Sequence, residues 1–261
     1  PRFKGQRNKL NSIPLIDPIK IPIDSKIGIP GIGKLRFHKQ SLPEGKIKCG
    51  RIIKRASGWY WYLCLWIDTV HSFKVKDTDN QVGIDPGFST LLTLSNGIKI
   101  ENPRELRISE KRIAQAQRGR NKKLVSKLHG KQANRRQDRN HKISRKLIED
   151  YKTIYYSDDN FKGMSNKFGK SISEASLGQL IGMINYKGRT ASRTVIPVNS
   201  KFTTMTCSSC GAKVGPKGWA GLKVRSWRCS ECGSDHDRDV NAAMVVFKTG
   251  AGIALERGVR V

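Results

Sequence analysis

The sequence predicts an α/β fold with a cysteine-rich segment inserted before its last helix, preceded by a β-rich region. Three observations predict it. Short β-branched runs alternate with amphipathic stretches from about residue 79 onward. Four cysteines in two close pairs interrupt that alternation between 201 and 233. Acidic residues fall at the ends of three predicted elements, in "GIDPG", "SDDNF" and "DRDVN".

Residues 1–78 read as β structure. "KLRFH", "KIKCGRIIKRA" and "WYWYLCLWID" are rich in β-branched and aromatic residues, with Pro and Gly between them. The prolines of "IPLIDPIKIPIDSKIGIPGIG" confine any strands there to short or edge positions. Trp59, Trp61 and Trp66 read as packing residues, and Cys49 and Cys64 as small buried hydrophobes. Residues 81–100 form a hairpin in which an apolar strand runs into Asp85 and turns at Pro-Gly. Residues 104–150 read as two basic helices. Ile108, Ile113, Leu124, Val125, Leu128, Ile143, Leu147 and Ile148 form their apolar stripe, and Gly119 and Gly130 are weak points. A strand follows at 153–157. A helix over 171–189 has Ser171 and Glu174 at capping-box spacing. "RTVIPV" is a further strand and "DVNAAMVVFKTG" the closing helix.

A formal charge of +29 and a pI near 10.2 over 261 residues exceed what solubility requires. Such an excess calls for a polyanion, and nucleic acid is the partner expected. Charges of nearly one sign along 104–150 point to phosphate contacts from Lys111, Arg112, Arg118, Arg120, Lys122, Lys123, Lys127, Arg135 and Arg136, with Lys162 further on. No apolar run approaches the roughly 20 residues that span a bilayer, so no membrane partner is expected. The sequence starts at Pro1 without a signal-peptide pattern, and is expected to be a fragment of a longer protein.

Cys207, Cys210, Cys229 and Cys232 follow the pattern C-x2-C-x18-C-x2-C. Two residues between cysteines let one tight turn aim both thiolates at a single ion. Four sulfurs close a tetrahedral site, which predicts a structural zinc. An iron–sulfur cluster is the less fitting alternative.

Asp85 ends a strand and Asp239 starts a helix. Carboxylates converging from separate elements are what a nuclease using two divalent ions needs, and their hard oxygens suit Mg²⁺. Ala242 and Ala243 would let the last helix lie close to the sheet and bring Asp239 inward.

The order of these pieces, strand-"GIDPG"-hairpin, basic helical pair, "SDDNFKGM", "SISEAS", "CSSCG…CSECG" and "DRDVNAA", resembles the C-terminal half of the TnpB family. These are transposon-encoded, RNA-guided proteins related to type V CRISPR effectors. The resemblance implies a RuvC-like (RNase H-type) nuclease domain over 79–200 and 234–261, a zinc ribbon at 201–233, and part of a wedge β-barrel over 1–78. It implies a guide RNA and a DNA target, structural zinc, Mg²⁺ at Asp85 and Asp239, and a prokaryotic cytoplasmic, nucleoid-associated location. The oligomeric state stays open.

The family's middle motif reads Glu-Asp-Leu-Asn-x-Lys-Gly-Met. In the register set by Asn160, Lys162, Gly163 and Met164, Ser157 takes the glutamate position. Along a strand Asp158 would face the other way. Asp159 would return to the site's face but about 6.6 Å further along. Glu174 is a third substitute, with helix capping as its plainer role. A neutral hydroxyl is a poor replacement for a bridging carboxylate. The first expectation is therefore a guided DNA binder whose nuclease activity is lost, acting as a transcriptional repressor. The alternatives are an active RNA-guided endonuclease using Asp159 or Glu174, and an unguided nucleic-acid-binding zinc-ribbon protein.

Overall fold

The structure is a computed structural model and describes residues 12–15, 26–29, 33–36, 38, 46–55, 58–66, 75, 77–221 and 223–256. The chain divides into two compact units, residues 1–71 with 115–130, and 72–114 with 131–261.

The first unit holds the short strands the sequence predicts: β1 (Ser12–Leu15), β2 (Lys26–Ile29), β3 (Gly33–Arg36), β4 (Lys46–Arg55) and β5 (Gly58–Trp66). β1, β4 and β5 form an antiparallel sheet in that order, and β2 pairs with β3 as a hairpin. Residues 16–25 and 30–32 of the proline-rich stretch lie outside the described residues, as do the side chains of Trp59 and Trp66. The expectation for Cys49 and Cys64 is corrected: both are exposed. They face each other across β4 and β5, on the side opposite buried Ile52.

The second unit is built on β6 (Gln81–Pro86), β7 (Thr90–Leu94), β8 (Lys99–Glu101), β9 (Thr153–Asp158) and β10 (Thr194–Asn199), in the order β10-β9-β6-β7-β8. β6, β7 and β8 run antiparallel, whereas β9 and β10 run parallel to β6. Three antiparallel strands are thus extended by two parallel ones into one mixed sheet. Alternation along the strands serves two cores. Val82, Ile84, Ile154 and Tyr156 pack with Leu147, Ile148, Leu177, Leu180 and Ile184. Tyr155, Ile196 and Val198 pack with Val246 and Phe247.

The predicted basic pair is α1 (Glu105–Arg118) and α2 (Lys122–Asp150). Gly119 falls in the break between them, whereas Gly130 lies inside α2. Ile108 leaves the expected stripe and is 73% exposed. The helix expected from Ser171 starts ten residues sooner. α3 (Phe161–Ala175) is capped by Asn160, whose side chain accepts from the Gly163 amide, and α4 (Leu177–Thr190) follows. Ser176 divides them at φ 55°. Ser171 and Glu174 therefore sit at the end of a helix, and the capping-box reading fails.

After β10 come α5 (Gly218–Gly221), β11 (Ser226–Arg228), β12 (Asp235–Asp237) and α6 (Arg238–Glu256). α6 crosses the second face of the sheet closely. Ala242 and Ala243 are fully buried. A Cβ on Gly83 would collide with the Ala243 carbonyl and the Phe247 amide, and one on Gly250 with the Tyr155 ring.

Candidate metal centres and nucleic-acid surface

In the parallel β6–β9 register Ile84 pairs with Tyr156. One step further along both strands come Asp85 and Ser157. Ile84 and Tyr156 belong to the first core, so Asp85 and Ser157 face the other side, the one α6 covers. Ser157 is 1% exposed there. Asp239 joins from the first turn of α6. That turn is capped by Asp237, whose carboxylate accepts from the amides of Asp239 and Val240 at 3.1 and 3.0 Å.

Asp159 departs from expectation. The chain has left the strand by this residue, and the Asp159 amide donates back to the Ser157 carbonyl at 3.2 Å. The 6.6 Å displacement therefore does not apply. The Ser157 hydroxyl donates to the Asp159 carboxylate at 3.1 Å. Burial pushes the Asp159 carboxyl above its usual range. Asp85 is pushed up to about 8, first by burial, then by the charges of Asp159 and Asp239, with Arg238 opposing. Asp85, Asp159 and Asp239 thus share one electrostatic site.

The other substitutes do not join it. Asp158 is exposed. Glu174 is 2% exposed, accepts from the Arg107 amide at 3.2 Å, and pairs with the Arg107 guanidinium at 3.3 Å. It fastens the end of α3 to the start of α1.

Two arginines hold Asp239: Arg238, which sequence reasoning passed over, and Arg225, which it read only as part of a basic insert facing nucleic acid. Arg238 places two N–H groups on one Asp239 oxygen, at 2.8 and 3.1 Å, and a third on the Gly221 carbonyl at 2.9 Å. Arg225 approaches the other oxygen at 3.4 Å. A cleft of about 330 Å³ opens beside Asp85 and Asp239, lined also by Phe88, Thr204, Arg225 and Arg238. The adjacency of Arg238 to Asp239 in "DRD" was the only available signal.

The cysteine segment gives the second centre. All four sulfurs lie within 4.8 Å of one another. Cys207 and Cys232 are 3.7 Å apart, as are Cys210 and Cys229. A tetrahedral zinc with Zn–S of about 2.3 Å requires sulfurs about 3.8 Å apart, so the four cysteines fit a structural zinc. Each knuckle closes through a left-handed glycine, as expected from its place after each pair. The Gly211 amide (φ 82°) donates to the Cys207 carbonyl and the Gly233 amide (φ 72°) to that of Cys229. His236 brings Nε2 to 3.1 Å from the Cys207 sulfur and stacks on Trp227. Asn241, 1% exposed, accepts from the Ser208 amide and donates to the Thr206 carbonyl, both at 2.8 Å. It ties the first knuckle to α6.

Of the predicted phosphate contacts, Lys111, Arg112, Arg118, Arg120, Lys122, Lys123, Lys127, Arg135 and Lys162 are exposed, and Arg136 is half-buried. Arg139 turns inward instead, onto Glu105 at 2.9 Å and the Ala175 carbonyl at 2.8 Å. Among the described residues no helix is long and apolar enough to cross a membrane.

A mixed α/β sheet with acidic residues at neighbouring strand ends, a further acid on its last helix and a four-cysteine cluster before that helix defines an α/β protein with a cysteine-rich insert fit to hold zinc. The chain resembles proteins of the TnpB family along most of its length. Residues 67–167 match the family model "Probable transposase", and residues 178–246 match "Cas12f1-like, TNB domain". The chain is 32% identical, over 84% of its length, to a "Putative RNA-guided DNA endonuclease" of Streptomyces pristinaespiralis, and covers 57% of that protein. It is 26% identical, over 86% of its length, to "CRISPR-associated endodeoxyribonuclease Cas12f1" of Sulfoacidibacillus thermotolerans, and covers 58% of it. The chain thus spans little more than half of these two curated relatives. Its fold matches the Cas12f1 chain of a cryo-EM Cas12f1–sgRNA–target DNA complex, with a TM-score of 0.50 at 16% identity over 76% of this chain and 55% of that one. A CRISPR–Cas12f ternary complex gives 0.51 at 17% identity over 78% of this chain and 46% of that one.

Proposed function

We propose that this chain acts as an RNA-guided DNA-binding protein, with a guide RNA and a target DNA as its partners. The +29 charge, the exposed basic residues of α1 and α2, and relatives named as RNA-guided endonucleases support this reading. Residues 1–78 act as part of a wedge β-barrel. Residues 79–200 with 234–261 form the RuvC-like domain, and 201–233 its zinc ribbon. Lys and Arg contact the backbone while base pairing with the guide reads sequence.

The hard oxygens of Asp85 and Asp239 fit Mg²⁺, which when bound would polarise a phosphate and activate water. The observation that carries the finer reading is Ser157, a neutral hydroxyl beside Asp85 where the family places a glutamate. With one anion missing from that strand end, cleavage is lost or greatly weakened while binding persists. The protein then represses transcription by occupying its target in the nucleoid.

A second reading, residual or full cleavage, is favoured by one contact: Asp159 folds back onto Ser157 and supplies a carboxylate to the same site. A plasmid assay with guide RNA and Mg²⁺ separates the two. Binding without cuts supports the first. Robust cuts abolished by Asp85→Ala and by Asp159→Ala refute it in favour of the second. Absence of guide-dependent binding refutes both.

A further inference from the structure

The carboxylate that α6 delivers is held by two arginines. Arg238 grips one Asp239 oxygen with two N–H groups, and Arg225 reaches the other. The two arginines differ in freedom. The Arg238 side chain is 12% exposed and is anchored to the Gly221 carbonyl, whereas Arg225 is 58% exposed. Both line the cleft that contains Asp85 and Asp239. A guanidinium on a carboxylate competes with a divalent cation for the same oxygens. Its planar fork also matches a phosphate offered in bidentate reach.

We propose that Arg225 and Arg238 form a phosphate-operated latch on Asp239: they cover the carboxylate until a nucleic-acid strand enters the cleft, then transfer to its phosphodiester oxygens and leave Asp239 open to a divalent ion. The two bindings are therefore coupled, strand and ion each favouring the other by the same factor. The latch rests on the proposed reading of this cleft as the nucleic-acid-binding metal site. It adds a role for two residues that no metal-ligand pattern includes. It also gives the chain a means of keeping its metal site closed when no strand is present. The latch operates whether or not cleavage follows.

The test is Mn²⁺ binding to the zinc-loaded chain, followed by electron paramagnetic resonance, with and without a single-stranded deoxyoligonucleotide. Arg238→Ala is expected to tighten Mn²⁺ binding to the free chain about tenfold, the scale of one well-formed ion pair, and to shrink the enhancement given by the oligonucleotide by a similar factor. Arg225→Ala, at an exposed position, is expected to act in the same direction by about twofold to threefold. Arg238→Lys keeps the charge but loses the two-donor grip. It is expected to tighten Mn²⁺ severalfold, a change that loss of general repulsion would not produce. Circular dichroism and zinc content confirm that each variant is folded. Unchanged or weaker Mn²⁺ binding in Arg238→Ala and Arg238→Lys overturns the latch. An oligonucleotide that binds without changing Mn²⁺ affinity overturns the latch alone. An oligonucleotide that does not bind overturns the nucleic-acid reading of the cleft along with it.

Discussion

The Ser157 hydroxyl donates to the Asp159 carboxylate at 3.1 Å. Under the proposed reading this pair, a hydroxyl on the strand and a carboxyl from the turn beyond it, stands where the family has a single glutamate. Ser157→Glu is expected to tighten Mn²⁺ binding and to raise guided cleavage at least about tenfold, the scale of one charge-assisted ligand. Asp159→Ala is expected to weaken Mn²⁺ binding severalfold. Calorimetric titration checks both, and an unchanged affinity in Asp159→Ala would show that its carboxylate holds no ion.

The raised pKa of Asp85 makes the metal-free fold sensitive to pH. Its folded value is about 8 against an ordinary 3.8. Between those limits the folded chain keeps a proton that the unfolded chain releases. Stability therefore falls as pH rises from about 4 to about 8. Asp85→Asn is expected to flatten that slope and to stabilise the metal-free chain above pH 8 by a few kcal/mol, since each tenfold in proton affinity is about 1.4 kcal/mol. Urea unfolding across this range is the measurement.

Gly83 sets how near α6 comes to the sheet. Its substitution by Ala places a methyl against the backbone of Ala243 and Phe247. Overpacking of this kind costs about 1–3 kcal/mol. The helix must move outward, and Asp239 moves with it. Gly83→Ala is expected to lower the melting temperature and weaken Mn²⁺ binding, while leaving zinc content unchanged.

Cys49 and Cys64 are paired in register on adjacent antiparallel strands and are both exposed. Directly opposed residues of such strands lie about 4.5–5.5 Å apart at Cα, within disulfide range. Oxidised glutathione is expected to join them within one chain. The two thiols give up two hydrogens, and the glutathione disulfide is reduced to two thiols. Peptide mass mapping reads the bond, and Cys49→Ser abolishes it. Mixed disulfides alone would show that the strands hold the sulfurs apart.

Much of this was legible in the sequence, and the rest failed for identifiable reasons. The zinc knuckles were readable because two tight turns enforce a fixed spacing, with glycine after each. β6, β9, β10 and α6 were readable from apolar alternation and small residues. The start of α3 was missed because "NFKG" caps through Asn160 and Gly163, a shorter signal than the Ser171–Glu174 spacing that misled. The exposure of Cys49 and Cys64 was missed because alternation names two faces without saying which is buried. Asp159 was misplaced because strand geometry was extended one residue past the strand's end. Arg238, and the contact of Arg225 with Asp239, were missed because Asp239 was read only as a ligand.

Asn241 joins a side chain of α6 to the backbone on either side of Cys207. The helix that presents Asp239 is therefore moored to the loop that carries the first cysteine pair. If, as proposed, the four cysteines hold zinc and Asp239 a magnesium ion, zinc starvation slackens the last wall of the acidic pocket from behind while every carboxylate stays chemically intact.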